Sequence, residues 1–275
     1  MLNSKDKLTV RHFASIGSTY TDYSYQAFDF QRDTFTLTLA TNDYLLVGYY
    51  KPINTLYVSM ATPDAYTSTL TNSYYDGSSF ATSLAHDDTK GLTRSGFIMW
   101  ERNQTDEAIT IIDSTELYWY KLALSSASTA IVFNGIGLLF SDDQDLLLEH
   151  PGILNDTFLI GSATDHLTYH ISARNEIIQS LKIKGYKNSD GDSINLWDLL
   201  EVTEVKQASK YLALSNIFFN VSDSPDDVYS IKSKEYKRLY QDCMSLAYLS
   251  FDQSNDGLTQ DSEKVTPARN IRFNR

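Results

Sequence analysis

The chain has 275 residues, enough for one large domain or two ordinary ones, and its 42% hydrophobic and 21% charged residues exclude a wholly disordered, collagen-like or coiled-coil chain. A net charge of −12, from 23 basic and 35 acidic residues, makes a general nucleic-acid-gripping surface a poor reading. The single cysteine, Cys243, excludes an internal disulfide and any cysteine-rich metal site.

The first residues are polar to about Asp22 and lack the apolar core of a signal peptide. No window approaches the roughly 18 uncharged apolar residues of a membrane helix, so the expectation is a soluble protein made in the cytoplasm, with no membrane partner. Residues 1–32 read as an N-terminal arm. Its second half carries Tyr20, Tyr23, Tyr25, Phe28 and Phe30, which calls for packing on its own body or on a neighbour, because disordered tails are poor in aromatics.

Residues 33–141 have a period of two. Thr34-Phe35-Thr36-Leu37-Thr38-Leu39 alternates polar and apolar and places Phe35, Leu37 and Leu39 on one face. Further strands are predicted over 44–50, 55–61, 68–75, 95–102, 108–113, 116–124 and 129–140. Lys51-Pro52, Thr62-Pro63-Asp64, Asp76-Gly77 and Lys90-Gly91 supply turns between them. Short strands at even spacing predict an antiparallel β-sandwich or jelly roll. Residues 142–157 are acidic at the start and pass through Pro151-Gly152, which reads as a linker or short helix.

Over 158–251 the period becomes 3.6. Leu167, Ile171, Ile177, Ile178 and Leu181 share one stripe, closed by Gly185. A second helix is predicted from near Asn195 through Phe218, with a break near Val202-Thr203, and a third from about Ser230 to Ser250. The fold class expected is therefore α+β, a β-sandwich domain followed by a small helical bundle. Residues 252–275 form an acidic turn and then a basic tail. From Lys264 onward Lys264, Arg269, Arg272 and Arg275 stand without an acid, which suits a peptide that docks in an acidic groove on a partner.

No catalytic constellation stands out. Asp252, Ser254, Asp256, Leu258 and Glu263 fall at oxygen-donor positions of an EF-hand loop, with Gly257 at the sharp bend. Thr259 and the early Pro267 depart from that pattern, so the segment reads either as a Ca²⁺ site or as a turn that holds no metal. His166 and His170 have a metal-ligand spacing without a third ligand, and the alternative is a polar helix face. Acidic pairs such as Asp142-Asp143 read as solvated loops before they read as hydrolase carboxylates. No Gly-x-Ser-x-Gly elbow is present. Tyr49, Tyr50, Tyr74, Tyr75, Trp100, Tyr118, Trp119 and Tyr120 could stack sugar rings or fill a core.

The segment from Thr164 to Glu263 resembles the head-to-tail adaptor (connector) proteins of tailed bacteriophages. The resemblance lies in Ser172-Ala173-Arg174-Asn175-Glu176-Ile177-Ile178-Gln179-Ser180-Leu181 on the opening helix. It continues in Lys206-Gln207-Ala208-Ser209-Lys210-Tyr211-Leu212-Ala213-Leu214 on the central helix, in 236–250, and in the tail. It covers a little over a third of the chain. Leu92-Thr93-Arg94-Ser95-Gly96-Phe97-Ile98-Met99-Trp100 and Leu117-Tyr118-Trp119-Tyr120-Lys121-Leu122 are similar to strands of β-sandwich modules in phage tail and baseplate proteins. The adaptor resemblance implies a structural virion protein, not an enzyme. It implies a ring of about twelve copies at the phage neck, with the C-terminal tail on the portal protein and a tail or stopper protein below. DNA would pass through the channel without specific binding, which an acidic wall favours. The alternative is a tail- or baseplate-associated β-sandwich that binds glycans or other tail proteins.

Overall fold

The computed structural model describes residues 10–17, 19–30, 33–102, 106–159, 161, 163–187, 191, 193–199, 202–246, 249–250 and 264–265. The chain divides into two compact units, Met1–Leu138 and Leu139–Arg275, and its class is α+β.

The first unit holds β1 (Val10–Ile16), β2 (Thr19–Asp22), a single helical turn α1 (Ser24–Ala27), β3 (Phe35–Leu37), β4 (Tyr44–Tyr49), β5 (Thr55–Thr62) and β6 (Leu70–Tyr75). After these come β7 (Phe80–Thr82), β8 (Ala85–Asp87), β9 (Gly96–Trp100), β10 (Ile109–Ile112), β11 (Thr115–Leu124) and β12 (Ile131–Gly137). One antiparallel sheet runs β2-β1-β4-β11-β6-β7, with β10 also on β11; the other runs β3-β12-β5-β9-β8.

In the larger sheet Tyr120 faces Val47 and Leu122 faces Leu45, which builds one apolar face. On the opposite face Phe13, Leu46, Leu117 and Trp119 form a second buried cluster, with the Phe13 and Trp119 rings stacked 5.3 Å apart. Apolar groups on both faces explain why Leu45-Leu46-Val47 runs without alternation. Trp119 lies flat over Gly48, where a Cβ would stand 2.7 Å from the indole. Its Nε1 donates to the Thr110 carbonyl at 3.1 Å, so the indole's one polar atom is satisfied. The β10–β11 hairpin turns at Asp113 and Ser114, both left-handed at φ 45° and 63°. That geometry matches the twist of a two-residue hairpin, although Asp-Ser is not the usual pair for it.

Residues predicted as an arm contribute β1, which sits inside the sheet in register with β4 from Val10↔Tyr49 to Ser15↔Tyr44. The aromatic residues that follow pack on the same unit: Tyr23 stacks on Phe35 at 4.9 Å and Phe30 meets Tyr57 at 5.9 Å. β1 has no clear alternation, because Phe13 is its one large apolar residue buried mid-strand. The three-residue strands β7 and β8 are too short to leave a periodic signal.

The second unit holds α2 (Asp143–Glu149), α3 (Leu167–Ile183), α4 (Thr203–Asn220), α5 (Val228–Leu246), β13 (Leu249–Ser250) and β14 (Lys264–Val265). The predicted linker is thus partly helix. Asp142 and Asp145 form a reciprocal cap at its start, which satisfies two backbone N–H groups. The helix expected from Asn195 begins as a 3-10 turn over Leu196–Asp198, and α4 proper starts at Thr203.

Leu212, Ala213, Leu214 and Ser215 are all buried, so α4 is covered on more than one side. Small residues Ala208, Ser209, Ala213 and Ser215 let its neighbours approach. Ser215 and Ser233 each donate to the other's carbonyl at 2.9 Å. Phe218 stacks on Tyr229 and Tyr211 on Tyr236, so α4 and α5 run antiparallel. Asn220 donates to the Tyr169 hydroxyl, and Ser180 bonds Tyr240, so α3 runs with α5 and against α4.

Candidate functional site

Three places could carry function: a buried polar cluster in the second unit, the wired loops of the first unit, and the two ends of the α4–α5 hairpin.

The polar cluster begins where the apolar run of 129–140 stops. Ser141 Oγ lies 3.0 Å from His170 Nδ1, and His170 Nε2 lies 3.1 Å from Asp143 Oδ1. Ser141 Oγ also meets Ser209 Oγ at 2.8 Å. One proton pattern satisfies the chain: Nε2–H donates to Asp143, Ser141 donates to Nδ1, and Ser209 donates to Ser141. These are the three residue types of nucleophilic hydrolysis. Here, however, Ser141 is 0% and His170 2% exposed, and the serine oxygen is already shared with Ser209. No substrate carbonyl can approach it. The cluster joins the start of α2 to α3 and α4.

His166 is likewise occupied, with Nε2 donating to the Ile153 carbonyl at 2.9 Å. The His166/His170 pair therefore does not converge on an ion. Among the described residues no group of three His, Cys, Asp or Glu could hold a metal.

Charge in this cluster is unevenly held. Burial, and then the neighbouring Asp145 carboxylate, push the Asp142 carboxyl up to about 6. Burial pushes Asp143 the same way, but the His170 hydrogen bond and the His166 backbone N–H hold it below the ordinary carboxylate value. Lys206 Nζ pairs with Asp145 at 2.8 Å.

In the first unit Trp100, Trp119, Tyr120, Tyr49 and Tyr74 are core residues. None offers a ring face to a sugar. Trp100 instead packs on Tyr120 of the other sheet at 4.9 Å. The loop over 87–94 is held by the Asp87 carboxylate, which accepts from the Thr89 N–H at 2.8 Å and the Gly91 N–H at 2.7 Å. Lys90, Gly91 and Leu92 are left-handed in succession. Gly91 is packed so that a Cβ would stand 2.0 Å from the Ser68 carbonyl oxygen. Asp64 ties the neighbouring loop through the Thr129 N–H and hydroxyl, at 2.9 and 2.8 Å.

The last helix ends in a clip. β13 and β14 pair antiparallel with Leu249 opposite Val265 and Ser250 opposite Lys264. The Ca²⁺ candidates Asp252, Ser254, Asp256, Leu258 and Glu263 lie outside the described residues, as do Arg269, Arg272 and Arg275. Lys264 is placed by its backbone alone. At the opposite end of the hairpin Phe219, Val228 and Ile231 are 69%, 58% and 57% exposed. The acidic turn with Asp223, Asp226 and Asp227 lies between them in the chain.

No protein-family model matches the chain, and no curated protein matches it. Among the described residues no helix is long and apolar enough to cross a membrane. Sequence reasoning missed the Ser141–His170–Ser209 contacts, which join residues up to 68 positions apart. The cap formed by Asp142 and Asp145 did have a local signal, an acid three residues after an acid at a helix start.

Proposed function

We propose that the chain is a structural virion protein of a tailed phage, a β-sandwich followed by a helical bundle, that assembles as a ring at the head-to-tail neck. The observation that carries this reading is the β13–β14 clip. It pairs Lys264-Val265 with Leu249-Ser250, which follow α5 closely in the chain, so the basic residues of the tail are joined to a paired strand. A tethered cationic peptide on an acidic body suits docking on a larger partner ring, the portal protein, with electrostatics steering the encounter.

The three long helices supply the ring-forming part. The exposed Phe219, Val228 and Ile231 are apolar surface that assembly would cover. The net charge of −12 fits a channel wall that lets DNA pass without holding it, with a tail or stopper protein below. Function here is geometric and no turnover is implied.

The test is a chain lacking 266–275, which keeps the β13–β14 clip, offered to the portal protein of the same phage. Loss of portal binding with an unchanged thermal melt is expected. Normal binding by the truncated chain removes the docking role.

A further inference from the structure

The two ends of the α4–α5 hairpin are complementary. At one end three exposed apolar side chains, Phe219, Val228 and Ile231, accompany the turn 221–227. Val228 and Ile231 are three apart on α5 and so share a face. Ser215 stands opposite Ser233, which brings Phe219 level with the first turn of α5. The turn itself carries Asp223, Asp226 and Asp227 and no basic residue. Asp227 accepts the Ser230 and Ser224 N–H groups and is held below the ordinary carboxylate value by them, so it stays charged. One neighbouring cation, Lys234, donates to the Pro225 carbonyl and leaves the turn negative.

In the chain, residues 266–275 follow the clip. That segment holds Arg269, Arg272 and Arg275, with Ile271 and Phe273 interleaved, and no acid. Cationic and apolar residues alternate in the peptide, as acidic and apolar residues lie side by side at the turn. We propose that the α4–α5 turn of one copy receives residues 266–275 of a second copy.

Reach favours a second copy over the same one. The clip follows the C-terminal end of α5, and the turn precedes its N-terminal end. α5 has 19 residues, so the two ends are about 28 Å apart. Ten residues span at most roughly 33–36 Å when fully extended. Docking within one copy would need the tail almost straight, with nothing left to lie on the turn. Between copies no such stretch is required. A peptide donor at one end and an acceptor at the other make a heterologous contact, which closes into a ring when the rotation allows.

The proposal deepens the ring reading and rests on it only for the closure. A tail seated on a neighbour is unavailable to the portal, so the two dockings compete.

The test uses the 275-residue chain and a fluorescein-labelled synthetic peptide of residues 266–275, read by anisotropy. Saturable binding is expected. It should weaken by about tenfold or more in Asp223→Lys/Asp226→Lys and in Phe219→Ser/Ile231→Ser. All four positions are exposed, so the variants should melt as the wild type does. A peptide with Arg269→Glu and Arg272→Glu should regain binding to the lysine variant. No saturable binding, equal binding by every variant, or failure of the charge swap to restore it overturns the proposal. If the peptide fails to bind and the chain still forms a closed oligomer, this contact falls and the ring stands. If the peptide binds and no closed oligomer forms, the contact stands and the ring falls.

Discussion

Replacing Asp142 by Asn should stabilise the second unit at neutral and alkaline pH and do so much less in mild acid. The carboxyl is raised from 3.8 to about 6 in the folded chain, chiefly by burial and then by Asp145. A carboxyl raised on folding contributes stability that is fully present below its unfolded value and is lost as pH rises through the folded one. The difference corresponds to about 3 kcal/mol at pH 8, taken as a ceiling. Asn keeps the side-chain oxygen that accepts the Asp145 N–H at 3.2 Å, so the α2 cap survives while the buried charge goes. Asp143 does not confuse the comparison. Its carboxyl is lowered, so its contribution is lost only as pH falls below the ordinary carboxylate range. Urea unfolding of wild type and variant at pH 8.0 and 4.5 reads the effect. A gain of roughly 2–3 kcal/mol at the higher pH and about 1 kcal/mol at the lower is expected, because pH 4.5 still lies above the unfolded value. A loss at pH 8.0, or an equal change at both, would refute the reasoning.

Two more substitutions test the packing. Gly91→Ala puts a methyl 2.0 Å from the Ser68 carbonyl at φ 70°, so thermal melting should show a loss of roughly 3 kcal/mol or more, and an unchanged melt would mean the loop is not held as described. His170→Ala strips partners from Asp143 and Ser141 and should cost about 2–4 kcal/mol by urea unfolding, whereas Ser141→Ala, which leaves Ser209 and His170 to re-pair, should cost about 1–2.

The parts of the fold that could be read from sequence were those with a strong period and a matching turn. Thr34 to Leu39 and the stripe from Leu167 to Leu181 are of this kind, because burial on a single face writes itself into residue order. β1 could not be read in this way, since Phe13 is its one large apolar residue buried mid-strand and its place depends on pairing with β4. The same holds for the polar cluster. Ser141 and Asp143 look like an ordinary acidic cap in sequence, and only the approach of α3 and α4 brings His170 and Ser209 to them. The aromatic residues could serve as core or as sugar platform, and burial decided for core at Trp100 and Trp119. The exposed end of the α4–α5 hairpin was illegible for the opposite reason: nothing in Phe219 as a residue says that it points outward while Phe218 points in.

The central claim is assembly, and the native mass of the 31.2 kDa chain tests it most directly. Sedimentation velocity over a range of concentrations, alone and with the portal ring, should reveal a closed oligomer of about twelve copies. A chain that stays monomeric at every concentration and also stays off the portal ring would contradict the account.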